Sequence, residues 1–411
     1  MKILWVKAGK LLPVDTGGKI RSYNILRHLA RQHQVIFLSY YGGQRDSEYE
    51  AAIAQQLPGA QTIYTASPES TVAQSFDYLY RLPSPAPYAV KKFTDSKVCA
   101  LVSQHLNSKR TDVAVCDFLS ASLNFPGSSA TPVVLFQHNV ETMLWRRMAS
   151  TEQSAVRKLS YTIEAYKMER YERRALSRFR YVIAVSDVDR DEMLQMCPDC
   201  DITVVPTGVD TEQYRVVPSA PEKPPLIAFT GSMDWEPNID AVEYFCREIF
   251  PAILAVLPDA RFQIVGRNPN IRVQRLASPS VEVTGTVPSA MDYLRLATVV
   301  VVPLRIGGGT RLKIFEAMAM AKALVSTSIG AEGLDVTNGR DLLIADDAQA
   351  IATAVLSLLR DPALRKSYEE NAAATAARYD WSQIAQRFAE VLSTATQSNV
   401  ARQSHHAALP V

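Results

Sequence analysis

"ATVVVVPLRIGGGTRLKIFEAMAMAKALVSTS", residues 297–328, runs from a valine-rich stretch through a glycine loop and a helix-patterned segment to a second apolar stretch. Two buried strands joined through a helix form the crossover unit of a parallel sheet. The helix is expected to open near Arg311 and Lys313. A helix start already carries about half a positive charge, so each cation there costs roughly 0.3–1 kcal/mol unless an anion is present. Glycines let backbone amides approach such an anion closely, and the unpaired N–H groups of the helix start point toward it. The guanidinium fork and the ammonium both suit phosphate oxygens. The spacing of Gly, Lys and Thr is not that of a Walker loop.

The same alternation extends over most of the chain. Strand-like runs lie at 2–6, 34–40, 112–118, 132–138, 181–186 and 202–206 in the first half. In the second half they lie at 225–231, 261–266, 281–285, 298–303, 323–328 and 341–345. Val- and Ile-rich runs separated by helices imply parallel sheets covered on both faces. Prolines 218, 221, 224 and 225 interrupt the pattern, since proline fixes φ and removes an amide donor. The expected organisation is an N-terminal Rossmann-like domain (1–217), a proline-rich linker (218–225) and a C-terminal Rossmann-like domain (226–378). A helix at 379–396, packing back on the first domain, and a disordered tail at 397–411 complete it. The fold class is α/β, with two doubly wound domains facing across a cleft.

Bulk composition narrows the function. The 411 residues are 47% hydrophobic and 21% charged, a globular balance, and the net charge of +2 gives no basis for nucleic-acid binding. Lys7 and Lys10 interrupt the first apolar run, so it is not expected to act as a signal peptide. Five scattered cysteines favour a reducing, cytoplasmic setting, and Cys197-Pro-Asp-Cys200 reads as a plain loop. Asp187, Asp189 and Asp191 follow Ser186 at an apparent helix start, where acids and a serine cap belong, so no metal site is expected. Residues 145–180 hold ten basic and four acidic residues. They read as a solvated helix with pairs such as Glu169–Arg173 or as a peripheral contact with an anionic membrane at its inner face.

Residues 303–330 resemble the donor site of the retaining glycosyltransferases of family 4, which have the GT-B fold. More narrowly, they are similar to a bacterial polysaccharide-type subgroup with the pattern Gly-Gly-Thr-Arg-x-Lys-x-x-Glu-Ala-Met-Ala. Further matches are "TGGKIRSYNILRHLA" (16–30), "QHNVE" (137–141), "VSDVDRDEM" (185–193), "VVPTGVD" (204–210), "GSMDWEPNIDAVEYF" (231–245), "IVGRNP" (264–269) and "VTGTV" (283–287).

The resemblance implies a nucleotide diphosphate-sugar donor, a carbohydrate or lipid-linked acceptor, and no metal or other cofactor. It assigns Glu316 to the ribose; read from spacing alone, Glu316 could instead pair with Lys313. Arg311 and Lys313 serve the leaving diphosphate, with Gly308, Gly309 and Thr310 approaching it. Gly231, Gly266, Arg267 and Val287 complete the donor wall, and Gly17 and Gly18 approach the diphosphate or sugar. His138, ending a buried strand, is placed beside the donor sugar. Glu141 reads as a helix-start charge or as a residue facing the acceptor, the first being the simpler. The chain departs from the wider family in having Gly308 where a glutamate is usual, Met233 and Pro237 where Arg and Lys are usual, and Thr207 for Asn. Other outcomes consistent with the sequence are a nucleotide-sugar epimerase and a non-catalytic nucleotide-sugar-binding module.

Overall fold

The computed structural model describes residues 1–65, 71–108, 110–152, 154–215, 225–306 and 312–407. It divides into two compact units, Met1–Pro206 with Ile384–Val411, and Thr207–Gln383. The division therefore falls ahead of the proline-rich stretch, most of which (216–224) lies outside the described residues.

The first unit is built on seven parallel strands. These are β1 (Lys2–Ala8), β2 (Gln34–Tyr41), β3 (Gln61–Tyr64), β4 (Val113–Asp117), β5 (Val133–Phe136), β6 (Tyr181–Ala184) and β7 (Asp201–Val204). They lie in the order β3-β2-β1-β4-β5-β6-β7. Register follows burial: Trp5 pairs with Phe37 on one side and Val115 on the other, all fully enclosed. The strand β3 was not expected. "QTIY" is a four-residue edge strand with no fully buried side chain, so the apolar run that marks the others is missing.

The second unit holds six parallel strands: β8 (Leu226–Thr230), β9 (Arg261–Val265), β10 (Val281–Gly285), β11 (Val299–Val302), β12 (Ala323–Ser326) and β13 (Leu343–Ile344). Their order is β10-β9-β8-β11-β12-β13. Both sheets thus start at a central strand, grow to one side, and then cross back to grow on the other. The crevice beyond the C-terminal strand ends at that reversal is where ligands bind in such sheets. It falls between β1 and β4 in one unit and between β8 and β11 in the other.

Two expectations are corrected. The C-terminal helix runs from Trp381 to Ala407, well past residue 396. No glycine or proline interrupts the chain between Trp381 and Ala408, and its Ala, Gln, Ser and Arg residues tolerate helix. Its buried side chains Ile384, Phe388, Leu392 and Ala395 recur at helical spacing. Phe388 stacks on Trp5 at 5.3 Å and meets Phe136 edge-on at 5.0 Å, while Asn399 donates to the Ala130 carbonyl at 2.7 Å. The second correction concerns Cys197 and Cys200, which are joined as a disulfide across the turn before β7, with Cα atoms 5.5 Å apart. That separation is one a disulfide spans readily. Among the described residues, no helix is long and apolar enough to cross a membrane.

Candidate functional site

In the first unit, β4 ends on Asp117 and the helix Gly17–Gln32 follows β1. Asp117 is fully buried. Its Oδ2 accepts from the Trp5 indole at 2.9 Å, the Ser22 hydroxyl at 2.7 Å and the Lys7 ammonium at 3.0 Å. Burial alone would raise its carboxyl, but Lys7, His138 and Trp5 together hold it below the usual carboxylate range. His138 Nε2 lies 2.8 Å from Asp117 Oδ1. An ionised carboxylate only accepts, so Nε2 carries the hydrogen and Nδ1 is left as a bare lone pair. That Nδ1 is buried and has no hydrogen-bond partner among the described residues.

His138 is fully enclosed, and burial lowers its pKa to about 4. Phe118 covers it, with the rings parallel and 3.7 Å apart. Phe118 holds this position at φ 70°, a left-handed backbone that bulky residues rarely adopt. Gly18 makes the contact possible, since a Cβ there would overlap the Phe118 ring. Gly17 opens the same helix. Arg21, also buried, faces the charge of Asp189, and burial draws its guanidinium down to about 10.

Glu141 occupies the first position of the helix Glu141–Thr151. It is not the simple helix-start charge expected, because burial and then Glu172 push its carboxyl up to about 7. The helix start is instead satisfied by fully buried Glu172, which accepts from the Glu141 and Thr142 amides at 3.0 and 2.9 Å. Glu172 also accepts from the Thr142 hydroxyl at 2.6 Å and the Gln137 amide at 2.9 Å. Farther on, Ser186 caps its helix by accepting from the Asp189 amide at 3.1 Å, and Arg190 pairs with Asp187 and Asp191. Glu169 meets Arg173 at 3.6 Å and Arg146 at 2.9 Å on the basic segment.

In the second unit, the loops after β8 and β9 touch through glycine. A Cβ on Gly266 would overlap the Gly231 carbonyl, and one on Gly231 would stand 2.9 Å from the Lys313 ammonium. Lys313 lies in the first turn of the helix Leu312–Ala319, which has no acid in that turn. Its Nζ donates to Asn238 Oδ1 at 2.8 Å and lies 4.2 Å from the centre of the Phe229 ring. Glu316, three residues on, does not hydrogen-bond Lys313. Its Oε1 accepts from the Tyr214 hydroxyl at 3.1 Å, and Lys313 acts on it only through its charge. Burial raises the Glu316 carboxyl in spite of both neighbours.

Arg267 is exposed and donates to the Ser232 hydroxyl at 2.9 Å, and Val287 is half-buried just beyond β10. Arg305 ahead of the glycine run is neutralised by Asp240 at 2.6 Å. Gly308, Gly309, Thr310 and Arg311 lie outside the described residues.

The structure therefore gathers Gly231, Gly266 and Lys313 at one strand reversal and brings Gly18 and His138 to the other. Sequence reasoning missed Lys7, Asp117, Phe118, Asn238 and Tyr214. The first two did leave a signal. A lysine in "KILWVKA" and an aspartate closing "DVAVCDF" are charges inside runs otherwise buried on both faces, and charges are almost never fully buried unless paired.

Comparison with known proteins agrees with this geometry. Residues 16–213 match the Glycosyltransferase Family 4 domain and residues 224–361 match Glycosyl transferases group 1. A phosphatidyl-myo-inositol mannosyltransferase of Mycolicibacterium smegmatis is 27% identical over 228 residues, covering 53% of this chain and 58% of the relative. The chain thus spans under two thirds of that relative's length. An uncharacterized 44.6 kDa protein in the cps region of Klebsiella pneumoniae is 22% identical over 90% of this chain and 94% of its own. Among solved structures, sucrose-phosphate synthase of Thermosynechococcus elongatus superposes with TM-score 0.66 at 16% identity, covering 99% of this chain and 100% of that one. Anabaena HepE in complex with UDP superposes at 0.65 and 15% identity, covering 96% and 100%. With two parallel α/β units and both domain matches, the chain belongs to the family 4-type glycosyltransferases of GT-B fold.

Proposed function

We propose that this glycosyltransferase moves a sugar from a nucleotide diphosphate-sugar to an acceptor hydroxyl with retention at the anomeric carbon, in assembly of a bacterial polysaccharide or other glycoconjugate. The observation that carries the reading is Lys313. It is a cation in the first turn of a helix without acids, poised over Gly231 at a strand reversal where only glycine fits. A diphosphate turns this unfavourable placement into a favourable one. The structural neighbour HepE was solved with UDP and with UDP-glucose, which supports a donor of that class.

The leaving diphosphate gains charge in the transition state, and preorganised donors stabilise that charge without reorganising. Arg311, Lys313 and the amides of the glycine run take this role, and Glu316 accepts from the ribose. His138, neutral and with Nδ1 as a bare acceptor, receives a hydrogen bond from a donor-sugar hydroxyl once the Phe118 ring gives way. The acceptor attacks on the face from which the diphosphate departs, and a phosphate oxygen takes its proton, so neither a metal nor a protein nucleophile is required.

A peripheral membrane contact at the inner face of the cell membrane belongs to the same reading. The helix Ala155–Arg178 exposes Val156 and Leu159 at 80% and 62% beside Arg157 and Lys158. An apolar surface flanked by cations suits an anionic bilayer.

The test is proton NMR of reactions containing UDP- or GDP-sugars and a glycan acceptor panel. Release of nucleotide diphosphate with a product of unchanged anomeric configuration is expected. An inverted product would overturn retention, isomerised donor without acceptor would mark an epimerase, and tight donor binding without turnover a binding module.

A further inference from the structure

On the side of β1 away from β4, the first unit has an open cleft of about 1280 Å³ that none of the candidate site residues described above lines. It opens beyond the C-terminal ends of β1, β2 and β3 and is walled by the helix Thr71–Arg81 and by Tyr88, Lys92 and Tyr161. Drug-sized ligands occupy roughly 300–1,000 Å³, so there is room for more than one sugar ring.

Its chemistry is specific. Four tyrosines line it, Tyr41, Tyr78, Tyr88 and Tyr161, and Leu79 is the only aliphatic side chain among the described lining residues. Such a lining suits ring faces and hydroxyls rather than a lipid chain. The polar frame is fixed before any ligand arrives. Tyr78 is held by Ser160 at 2.9 Å and packs edge-on against Tyr88 at 5.3 Å. Arg81 is tied to Asp77 at 2.7 Å and to the Lys91 carbonyl at 2.9 Å, and Lys10 to Asp46 at 2.6 Å.

Lys92 differs from the other two cations. Its ammonium lies 5.7 and 5.0 Å from the centres of the Tyr88 and Phe93 rings, with no carboxylate at ion-pair distance among the described residues. Its pKa is drawn down by desolvation with no opposing charge. The Lys92 side chain is exposed, so an anion arriving there meets an accessible ammonium flanked by aromatic faces.

We propose that this cleft binds an acidic glycan, its pyranose rings lying on the tyrosine rings and its anionic group on Lys92. The inference deepens the transferase reading by giving the acceptor a chemical class, and rests on that reading only for calling the glycan an acceptor. The anion could be a uronate within the chain or a phosphate at its reducing end; both present oxygens to the same ammonium.

Calorimetry on the full chain without donor separates these. The probes are a hexuronate-terminated disaccharide, the matching disaccharide 1-phosphate and the neutral disaccharide, titrated into wild type, Lys92→Gln and Tyr88→Ala. One or both acidic probes are expected to bind about fivefold tighter than the neutral one, the scale of one partly screened ion pair. Whichever acidic probe is preferred identifies the source. Lys92→Gln should abolish the preference, and Tyr88→Ala should weaken all three probes. Equal binding of neutral and acidic probes, or a preference that survives Lys92→Gln, overturns the proposal. A parallel titration with UDP keeps the two readings apart. If UDP binds and no sugar does, the cleft proposal fails alone; if acidic sugar binds and neither UDP nor GDP does, the donor reading fails and the cleft proposal stands.

Discussion

His138 Nε2 stands 2.8 Å from Asp117 Oδ1, and both side chains are fully buried. The same carboxylate is the ion-pair partner of buried Lys7. Removing one partner from a buried pair leaves the other charge uncompensated, at about 3–5 kcal/mol. Asp117→Ala should therefore lower unfolding free energy by about that much in urea titrations. A loss below about 1 kcal/mol would show that the network does not organise the strand reversal.

His138 of this pair and the half-buried Glu141 titrate in opposite senses. Between about pH 4 and 6.5, the unfolded chain takes up a proton at His138 that the folded chain refuses, so acidification through that window weakens the fold. The full shift corresponds to about 3 kcal/mol. Glu141 works the other way. Its folded carboxyl titrates near 7 against 4.5 unfolded, so acidification from pH 7 toward 4.5 strengthens the fold, and Glu172 is shifted in the same direction. Asp117, held below the usual carboxylate range, stays charged throughout, as does Arg21. Glu141→Gln should become less stable from pH 7 to 5, and His138→Gln more stable, relative to wild type. Parallel slopes for the two variants in chemical denaturation would contradict the assignment.

Glycine at the second strand reversal is demanded by backbone against backbone. Gly266→Ala sets a Cβ on the Gly231 carbonyl, whereas Gly127→Ala meets nothing within 4 Å. Overpacking of a rigid contact costs about 1–3 kcal/mol. Thermal unfolding should show a clear drop for Gly266→Ala and little change for Gly127→Ala. Equal melting points would mean that the loops after β8 and β9 relax apart freely.

Much of this was legible in the sequence because parallel strands buried on both faces leave unbroken apolar runs. Twelve such runs became strands, and the missed β3, "QTIY", is a short edge strand without such a run, its side chains partly exposed like those of β7 and β13. The helical tail was misread because polar composition was taken for disorder, whereas the helix that carries Phe388 and Leu392 continues to Ala407. The glycines Gly18, Gly231 and Gly266 were reached through the family resemblance, and each stands where a Cβ would meet a neighbour at under 3 Å. Partners were not legible. Nothing near Glu316 in sequence announces Tyr214, which is 102 positions away, nor does Lys313 announce Asn238, 75 positions away. Such pairings are set by the fold, not by local spacing.

The Tyr214 hydroxyl donates to Oε1 of Glu316, and the proposed ribose contact falls to the same carboxylate. Hydrogen bonds to a charged group are worth about 1.5–3 kcal/mol. Glu316→Gln should weaken whichever of UDP and GDP binds by about tenfold or more, with little effect on its 2′,3′-dideoxy analogue. Loss of affinity for both forms alike would place the carboxylate away from the ribose.

The central claim is that cations at a helix entrance hold a nucleotide diphosphate, and equilibrium titration of UDP and GDP into wild type and Arg311→Ala tests it most directly. One of the two nucleotides should bind wild type, and Arg311→Ala should lose at least about tenfold in affinity with its unliganded melting point nearly unchanged. Undiminished binding by Arg311→Ala, or no binding of either nucleotide to wild type, would contradict the account.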